Sequence, residues 1–195
     1  SAGAEIGQLA RFLSIPVATA LNAKGVILDN DPLSIGVAGE YSRSCANLAV
    51  HEADLVIFVG SQTGGLVTRG WSVPEESAKV VHIDINPENL GRNYMHTTGV
   101  CGDAKTEIMQ MTEAAKLSGK PAPQREWLDR ISELKAVWRK SAQQFETSDD
   151  IPIRPERLCR DISDMLPDDA IVVGDTGHAG IWMAQNFYAT SEKQT

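Results

Sequence analysis

Apolar residues in this chain come as short unbroken runs separated by stretches of helical period. Asp54 is followed by Leu55-Val-Ile-Phe-Val59, which runs straight into Gly60-Ser61-Gln62-Thr63-Gly64-Gly65. A run without alternation predicts a strand covered on both faces, as in a parallel sheet flanked by helices. Ile15-Pro-Val-Ala-Thr19, Lys79-Val-Val-His-Ile-Asp84, Gly99-Val-Cys-Gly102 and Ala170-Ile-Val-Val173 predict further buried strands. Between them the period changes. Gly3–Leu13 puts Ile6, Leu9, Ala10 and Leu13 on one helical face, and Glu40–Glu52 does the same with Cys45, Leu48, Ala49 and Glu52. Asp103 caps a helix over Ala104–Leu117 that turns Ile108, Met111 and Ala115 inward. Residues 26–39 and Ser61–Ser77 read as loops, and Asn86-Pro87 as a helix start.

Strand–helix alternation over residues 3–117 predicts an α/β fold, a Rossmann-like parallel sheet with helices on both faces. The helix at Gly3 has no strand ahead of it, so the sheet should show a gap or borrow a strand. Ser118-Gly-Lys-Pro-Ala-Pro123 is a linker by composition. Linker helices follow. Gln124–Glu146 aligns Trp127, Ile131, Leu134, Trp138 and Phe145 for packing against a neighbouring domain or subunit. After Thr147-Ser-Asp-Asp150, Pro155 opens a helix to Leu166 with Leu158, Ile162 and Met165 inward. The strand at 170–173 then enters Gly174-Asp-Thr-Gly-His-Ala-Gly180 and an apolar helical segment, Ile181 to Phe187. The expected division is 1–117 for a central, nucleotide-binding-like domain lacking its first strand, 118–168 for linker helices, and 169–195 for the truncated start of a second α/β domain.

Composition narrows the classes. A 195-residue chain with 42% hydrophobic and 23% charged residues is globular. A net charge of -8 disfavours nucleic acid and anionic membranes as partners. No apolar run approaches the ~20 residues that span a bilayer, and no basic-then-apolar leader opens the sequence. Cys45, Cys101 and Cys159 are odd in number and far apart, matching neither a zinc site nor a disulfide framework. They read as buried free thiols in a reducing cytoplasm.

Candidate chemistry sits at the carboxyl ends of the strands, where ligands bind in open α/β sheets. Gly60-Ser61-Gln62, Asp84-Ile85 and Gly102-Asp103 would line one crevice, with backbone N–H groups for a phosphate and an acid for a ribose. The same segments serve equally as plain strand-to-helix turns. Gly174–Gly180 is a second candidate: a glycine loop entering a helix offers free N–H groups and partial positive charge to an anion. It lacks the Lys-[Ser/Thr] of a P-loop. His51 and His96 read as surface residues and His82 as half-buried, and no nucleophile–histidine–acid order or HExxH pattern is present.

Pro16-Val-Ala-Thr-Ala-Leu-Asn-Ala-Lys-Gly25, Asp31-Pro-Leu33, Gly36-Val-Ala-Gly39, Glu52-Ala-Asp-Leu-Val56, Gly60-Ser61, His82-Ile-Asp-Ile85 and Gly102-Asp103 follow one another in the order of a known family. They resemble the central domain of thiamine-diphosphate-dependent enzymes of the acetolactate synthase type. Gly174-Asp-Thr-Gly-His-Ala-Gly-Ile-Trp-Met-Ala-Gln185 resembles the opening of that family's diphosphate-binding domain. The resemblance implies an internal piece of a three-domain enzyme. That enzyme would decarboxylate a 2-keto acid and transfer the resulting acyl-anion equivalent to a second carbonyl compound or a proton.

The resemblance implies that Thr176, Gly177, His178 and Ala179 touch the cofactor diphosphate. The cofactors implied are thiamine diphosphate with Mg2+, and FAD or ADP in the central crevice through Gly39, Gly60, Ser61, Gln62, Asp84, Ile85 and Asp103. Gln62 stands where flavin-binding members place an arginine, and Arg69 is the substitute within reach in sequence. The activating glutamate and the magnesium motif would lie outside residues 1–195, so the isolated chain holds no catalytic or metal residue and is expected to be inactive. Partners would be the keto acid, the remaining domains, and further copies in a homo-dimer or homo-tetramer. The competing reading is a free-standing Rossmann-like nucleotide-binding or regulatory module, against which the segment 170–195 argues. A deacylase using NAD is disfavoured because paired zinc cysteines are missing.

Overall fold

Three parallel strands end level with one another, and that edge carries the crevice. The computed structural model describes residues 2–119, 121–175, 177–191 and 193–194. Strand β3 (Leu55–Val59) pairs with β4 (Lys79–Asp84), and β4 with β5 (Thr97–Cys101), all parallel. The register sets Val59 beside Ile83 and Asp84 beside Cys101. Pairing continues one residue further, because Gly60 N–H donates to the Ile83 carbonyl and Gly102 N–H to that of Asp84. The two glycines thus start their loops already fixed to β4.

One face of this sheet is covered by helices α1 (Gly3–Leu13) and α3 (Ala104–Leu117). Leu9, Ile83 and Ile108 form the core there, with Ile6, Leu13, Ile57, Val81, Val100 and Met111 around them. Ile83 and Ile108 are fully buried, each stabilising the fold by roughly 1.5–3 kcal/mol. The opposite face carries Val80, His82 and Phe58, and Tyr94 stacks on Phe58 at 5.6 Å between ring centroids.

The remaining strands, β1 (Val17–Thr19) and β2 (Ser34–Val37), pair parallel as a separate two-stranded sheet. The expected interruption of the sheet is therefore present. Helices α2 (Ser44–Glu52) and α4 (Arg125–Glu146) cover this second sheet through Ile35, Cys45, Ala46, Ala49, Ile131 and Leu134. The aromatic stripe of α4 accordingly packs on this chain's own central layer, with Trp127 and Trp138 at the edge of that core. Phe145 lies instead beneath the Arg154 guanidinium, 4.5 Å from its carbon. Helices α5 (Pro155–Met165) and α6 (His178–Asn186) complete the described α-helices.

Several expectations are corrected. Residues 26–39 are not all loop: Ser34–Val37 is β2, and every residue in it is buried. The second helix begins at Ser44, not Glu40, because Glu40–Arg43 first close a turn in which Arg43 N–H donates to the Val37 carbonyl. Ala170–Val173 forms no strand; Ile171 and Val173 are largely exposed, since none of the described strands offers a ladder to pair with. In α5 the inward residue is Cys159, while Leu158 and Met165 are exposed, because the helix meets its neighbours through Cys159 and Ser163. Cys101 is exposed, being the last residue of edge strand β5. His82 is buried rather than half-buried. Helix α6 starts at His178, three residues before the expected Ile181.

Candidate functional site

At the level ends of β3, β4 and β5 lies a cavity of about 430 Å³ lined by Gly60, Gln62, Asp84, Ile85, Asn86, Asn89, Asp103 and Ala104. Five of the residues expected from sequence meet here: Gly60, Gln62, Asp84, Ile85 and Asp103. Each lies within three residues of a strand's carboxyl end, Asp84 being the last of β4 and Gln62 the third beyond β3, so the parallel register brings them to one edge.

Two expected residues stand elsewhere. Ser61 does not line the cavity; its hydroxyl accepts the Thr63 N–H at 3.1 Å and its carbonyl meets His82 Nε2 at 2.7 Å. Gly39 is buried against the backbone of Leu66 and Val67. Its N–H donates to Asn47 Oδ1 at 2.8 Å and its carbonyl accepts from Asn47 Nδ2 at 2.9 Å, so both backbone groups are already used. Asn86 and Asn89 belong to the lining although only a helix start was legible there. Asn86 caps the 3₁₀ turn Pro87–Asn89 through its side chain, which swings Asn89 to the cavity wall.

The electrostatics of this crevice are acidic. Asp84 is buried, and its Oδ1 accepts the Asn86 N–H at 2.8 Å, while Oδ2 carries no bond among the described residues. Asp103 accepts the Thr106 N–H and hydroxyl, each at 3.0 Å. Those bonds hold its carboxyl below the usual carboxylate range. A carboxylate of the chain therefore already occupies the anion seat at the amino end of α3. No lysine or arginine lines the cavity among the described residues. Lys105, next in sequence, is paired with Glu5 at 3.2 Å, and Arg69 is exposed on its loop. Asp84 suits the hydroxyls of a ribose; a diphosphate meets no cationic partner.

The rim is a tied loop. Thr63 is buried, and its carbonyl accepts from Trp71 Nε1 at 3.2 Å and Asn93 Nδ2 at 3.0 Å. Thr63, Arg69 and Trp71 all have left-handed φ, a conformation that persists only where surrounding bonds impose it.

The second candidate, the loop from Gly174, is at the surface: Gly177, His178 and Ala179 are exposed. Thr176 lies outside the described residues. Gly177 precedes α6 with φ 95 and ψ -147, backbone angles essentially confined to glycine. By helix geometry the N–H groups of His178, Ala179 and Gly180 have no intrahelical acceptor, and they point along the positive end of the helix dipole. This end can receive a diphosphate through backbone donors alone. Among the described residues no group of three or more His, Cys, Asp or Glu is arranged to hold a metal ion. No described helix is long and apolar enough to cross a membrane.

Comparison with known proteins bears on both places. The family model described as "Thiamine pyrophosphate enzyme, central domain" matches residues 1–111. The chain is 33% identical over 192 residues to a protein named "Probable acetolactate synthase large subunit" of Methanocaldococcus jannaschii, covering 95% of this chain and 32% of that protein. It is 33% identical over 179 residues to an acetolactate synthase large subunit of Parasynechococcus marenigrum, covering 92% and 28%. An acetolactate synthase of Mycobacterium avium is 27% identical over 186 residues, covering 94% and 30%. The chain spans about a third of the length of the curated relatives it matches.

Proposed function

Because this chain belongs to the thiamine pyrophosphate enzymes, through their central domain, we propose that it supplies three parts of an acetolactate-synthase-like enzyme: central domain, linker helices and diphosphate loop. One observation carries this reading. Similarity to acetolactate synthases continues past residue 111, where the family match ends, and covers 95% of the chain. The added part contains a glycine-only turn opening onto the amino end of a helix.

In this reading Gly177, His178 and Ala179, with Thr176, hold the diphosphate of thiamine diphosphate by backbone N–H groups. The bound cofactor supplies the electron sink for decarboxylating a 2-keto acid. The chain's own part is to bind and orient. Gly177 turns the backbone so that consecutive N–H groups converge on one point, and the helix end adds attraction without any side-chain charge. Magnesium would complete the diphosphate site through residues other than those described. The enzyme would work as a homo-oligomer, and the name "large subunit" carried by relatives suggests a smaller companion chain.

The central crevice would take the nucleoside end of ADP or FAD, with Asp84 on the ribose. With no lysine or arginine lining the crevice among the described residues, the diphosphate of either would be held at modest affinity.

Isothermal titration of the full-length protein with thiamine diphosphate and Mg2+, paired with a carbon dioxide assay on pyruvate, tests the reading. Binding that is lost in Gly177→Val supports it. Unchanged binding in that variant sinks the loop assignment. Residues 1–195 alone are expected to release no carbon dioxide; release by that piece would show that the catalytic parts lie inside it.

A further inference from the structure

We propose that Arg43 is a positioning residue for the diphosphate loop: a buried guanidinium on the central layer that grips the carboxyl end of α6 and thereby sets the loop at its amino end. Arg43 closes the turn before α2, and its side chain is 5% exposed. Its Nε donates to the Gln185 carbonyl at 2.8 Å and its Nη2 to the Phe187 carbonyl at 3.2 Å. These acceptors lie at the last turn of α6, where carbonyls lack intrahelical donors and the helix dipole is negative. The third nitrogen, Nη1, donates to Asp29 Oδ1 at 2.6 Å.

The same guanidinium lies over two rings. Its carbon lies 4.7 Å from the centroid of Trp138, on α4, and 4.7 Å from that of Tyr188, just beyond α6. Asp29 extends the grip, because its Oδ2 accepts the Ala189 N–H at 2.8 Å and its own N–H donates to the Ala189 carbonyl at 2.8 Å. Room for the arm is made in β2: a Cβ on Gly36, where φ is +86, would overlap the Arg43 side chain. Four parts of the chain thus close on one cation: β2, the Asp29 turn, α4 and residues 185–189.

Helix α6 has nine residues and so is a rigid rod of roughly 13 Å. A tilt of about ten degrees at the gripped end moves the other end by about 2 Å on that length, enough to misplace N–H donors relative to a diphosphate. Lysine cannot take over the role. Its point charge lacks the planar fork that serves two carbonyls and a carboxylate at once beside two aromatic rings.

The cofactor arm of this inference rests on residues 174–180 being the diphosphate loop; the joint does not. The test uses the full-length protein and its Arg43→Lys and Asp29→Asn variants, with Ile108→Val as a core control. Hydrogen–deuterium exchange of peptides covering 177–190 is measured beside thiamine diphosphate affinity. Arg43→Lys should lose at least tenfold in protection across Gly177–Ala189 and weaken the cofactor at least tenfold. Asp29→Asn should do the same to a smaller degree. Ile108→Val should lower the melting temperature and leave both readouts unchanged. Retained protection and affinity in Arg43→Lys would overturn the proposal, as would protection lost evenly over the whole chain. If the unaltered protein binds no thiamine diphosphate, the loop assignment falls. Exchange at Gly177–Ile181 then decides alone, with loss upholding the joint and no loss ending it.

Discussion

Ser61 and His82 lock the lip of the crevice to the middle strand of the sheet: His82 Nε2 lies 2.7 Å from the Ser61 carbonyl, and the histidine is 2% exposed. A carbonyl only accepts, so Nε2 carries the proton. His82→Leu would keep the apolar volume and strand the Ser61 carbonyl. The expected cost is about 1–3 kcal/mol, read by urea unfolding. His82→Gln keeps a donor and should recover part of it. Equal stability for the leucine variant would mean the bond contributes nothing.

Lys24 gives the stability a rising limb in mild alkali. Burial pushes its ammonium down from 10.5 to about 8, with Arg43 adding to the fall and Asp29, 3.1 Å away, opposing it. Between those two pH values the unfolded chain holds a proton that the folded chain has lost, so stability rises with pH across the window. The gain should approach about 1 kcal/mol from pH 8 to 9. From about pH 8.5 upward it is countered by Cys45 and Cys159, whose thiols burial pushes up, Cys159 to about 11. Those two favour unfolding once free thiols ionise. Denaturant midpoints for Lys24→Met against the unaltered chain between pH 7.5 and 9 should therefore diverge in slope. Parallel curves would show that Lys24 stays charged.

Placing a charge in the crevice should change its ligand. Gln62 lines a cavity without lysine or arginine among the described residues. Gln62→Arg adds a charge-assisted donor worth about 1.5 kcal/mol or more, so ADP affinity should rise about tenfold while adenosine affinity stays level. Calorimetric titration separates the two. A parallel rise for adenosine would place the diphosphate outside the crevice.

Gly39→Ala should be among the most damaging single changes in the chain. At Gly39 φ is +103, and a Cβ would overlap the backbone of Leu66 and Val67. The neighbour that must yield is the tied rim loop, not a side-chain tip. With left-handed strain added, the expected loss exceeds about 3 kcal/mol, seen as a lower unfolding midpoint. A loss below about 1 kcal/mol would show that the loop moves freely.

Much of the central layer was legible because its signals are local. The runs at 54–59 and 79–84 are strands, and Asp103 caps α3 by the bond expected of it. Crevice residues Gly60, Asp84 and Asp103 followed from their place at strand ends. What stayed hidden is decided at a distance. Ser34-Ile-Gly-Val37 sits among Asp, Pro and Gly turn signals and becomes a strand only through pairing with β1. Ala170–Val173 has the apolar run without the pairing. Arg43 carried no local mark at all, since its carbonyl partners lie 142 and 144 residues away.

That separation has a consequence in time. A ribosome adding about 5–20 residues per second delivers Phe187 roughly 7 to 30 seconds after Arg43, given the 144 positions between them. Helix formation, hairpin formation and collapse take no more than about 100 microseconds, so the layers built from residues 3–117 can form long before Phe187 emerges. Through that interval the arginine has only the Asp29 carboxylate, 14 positions upstream, to neutralise it, and its slot faces water. Newborn chains should therefore pass through a long-lived stage with a wet, chaperone-accessible notch that residues 185–189 later seal.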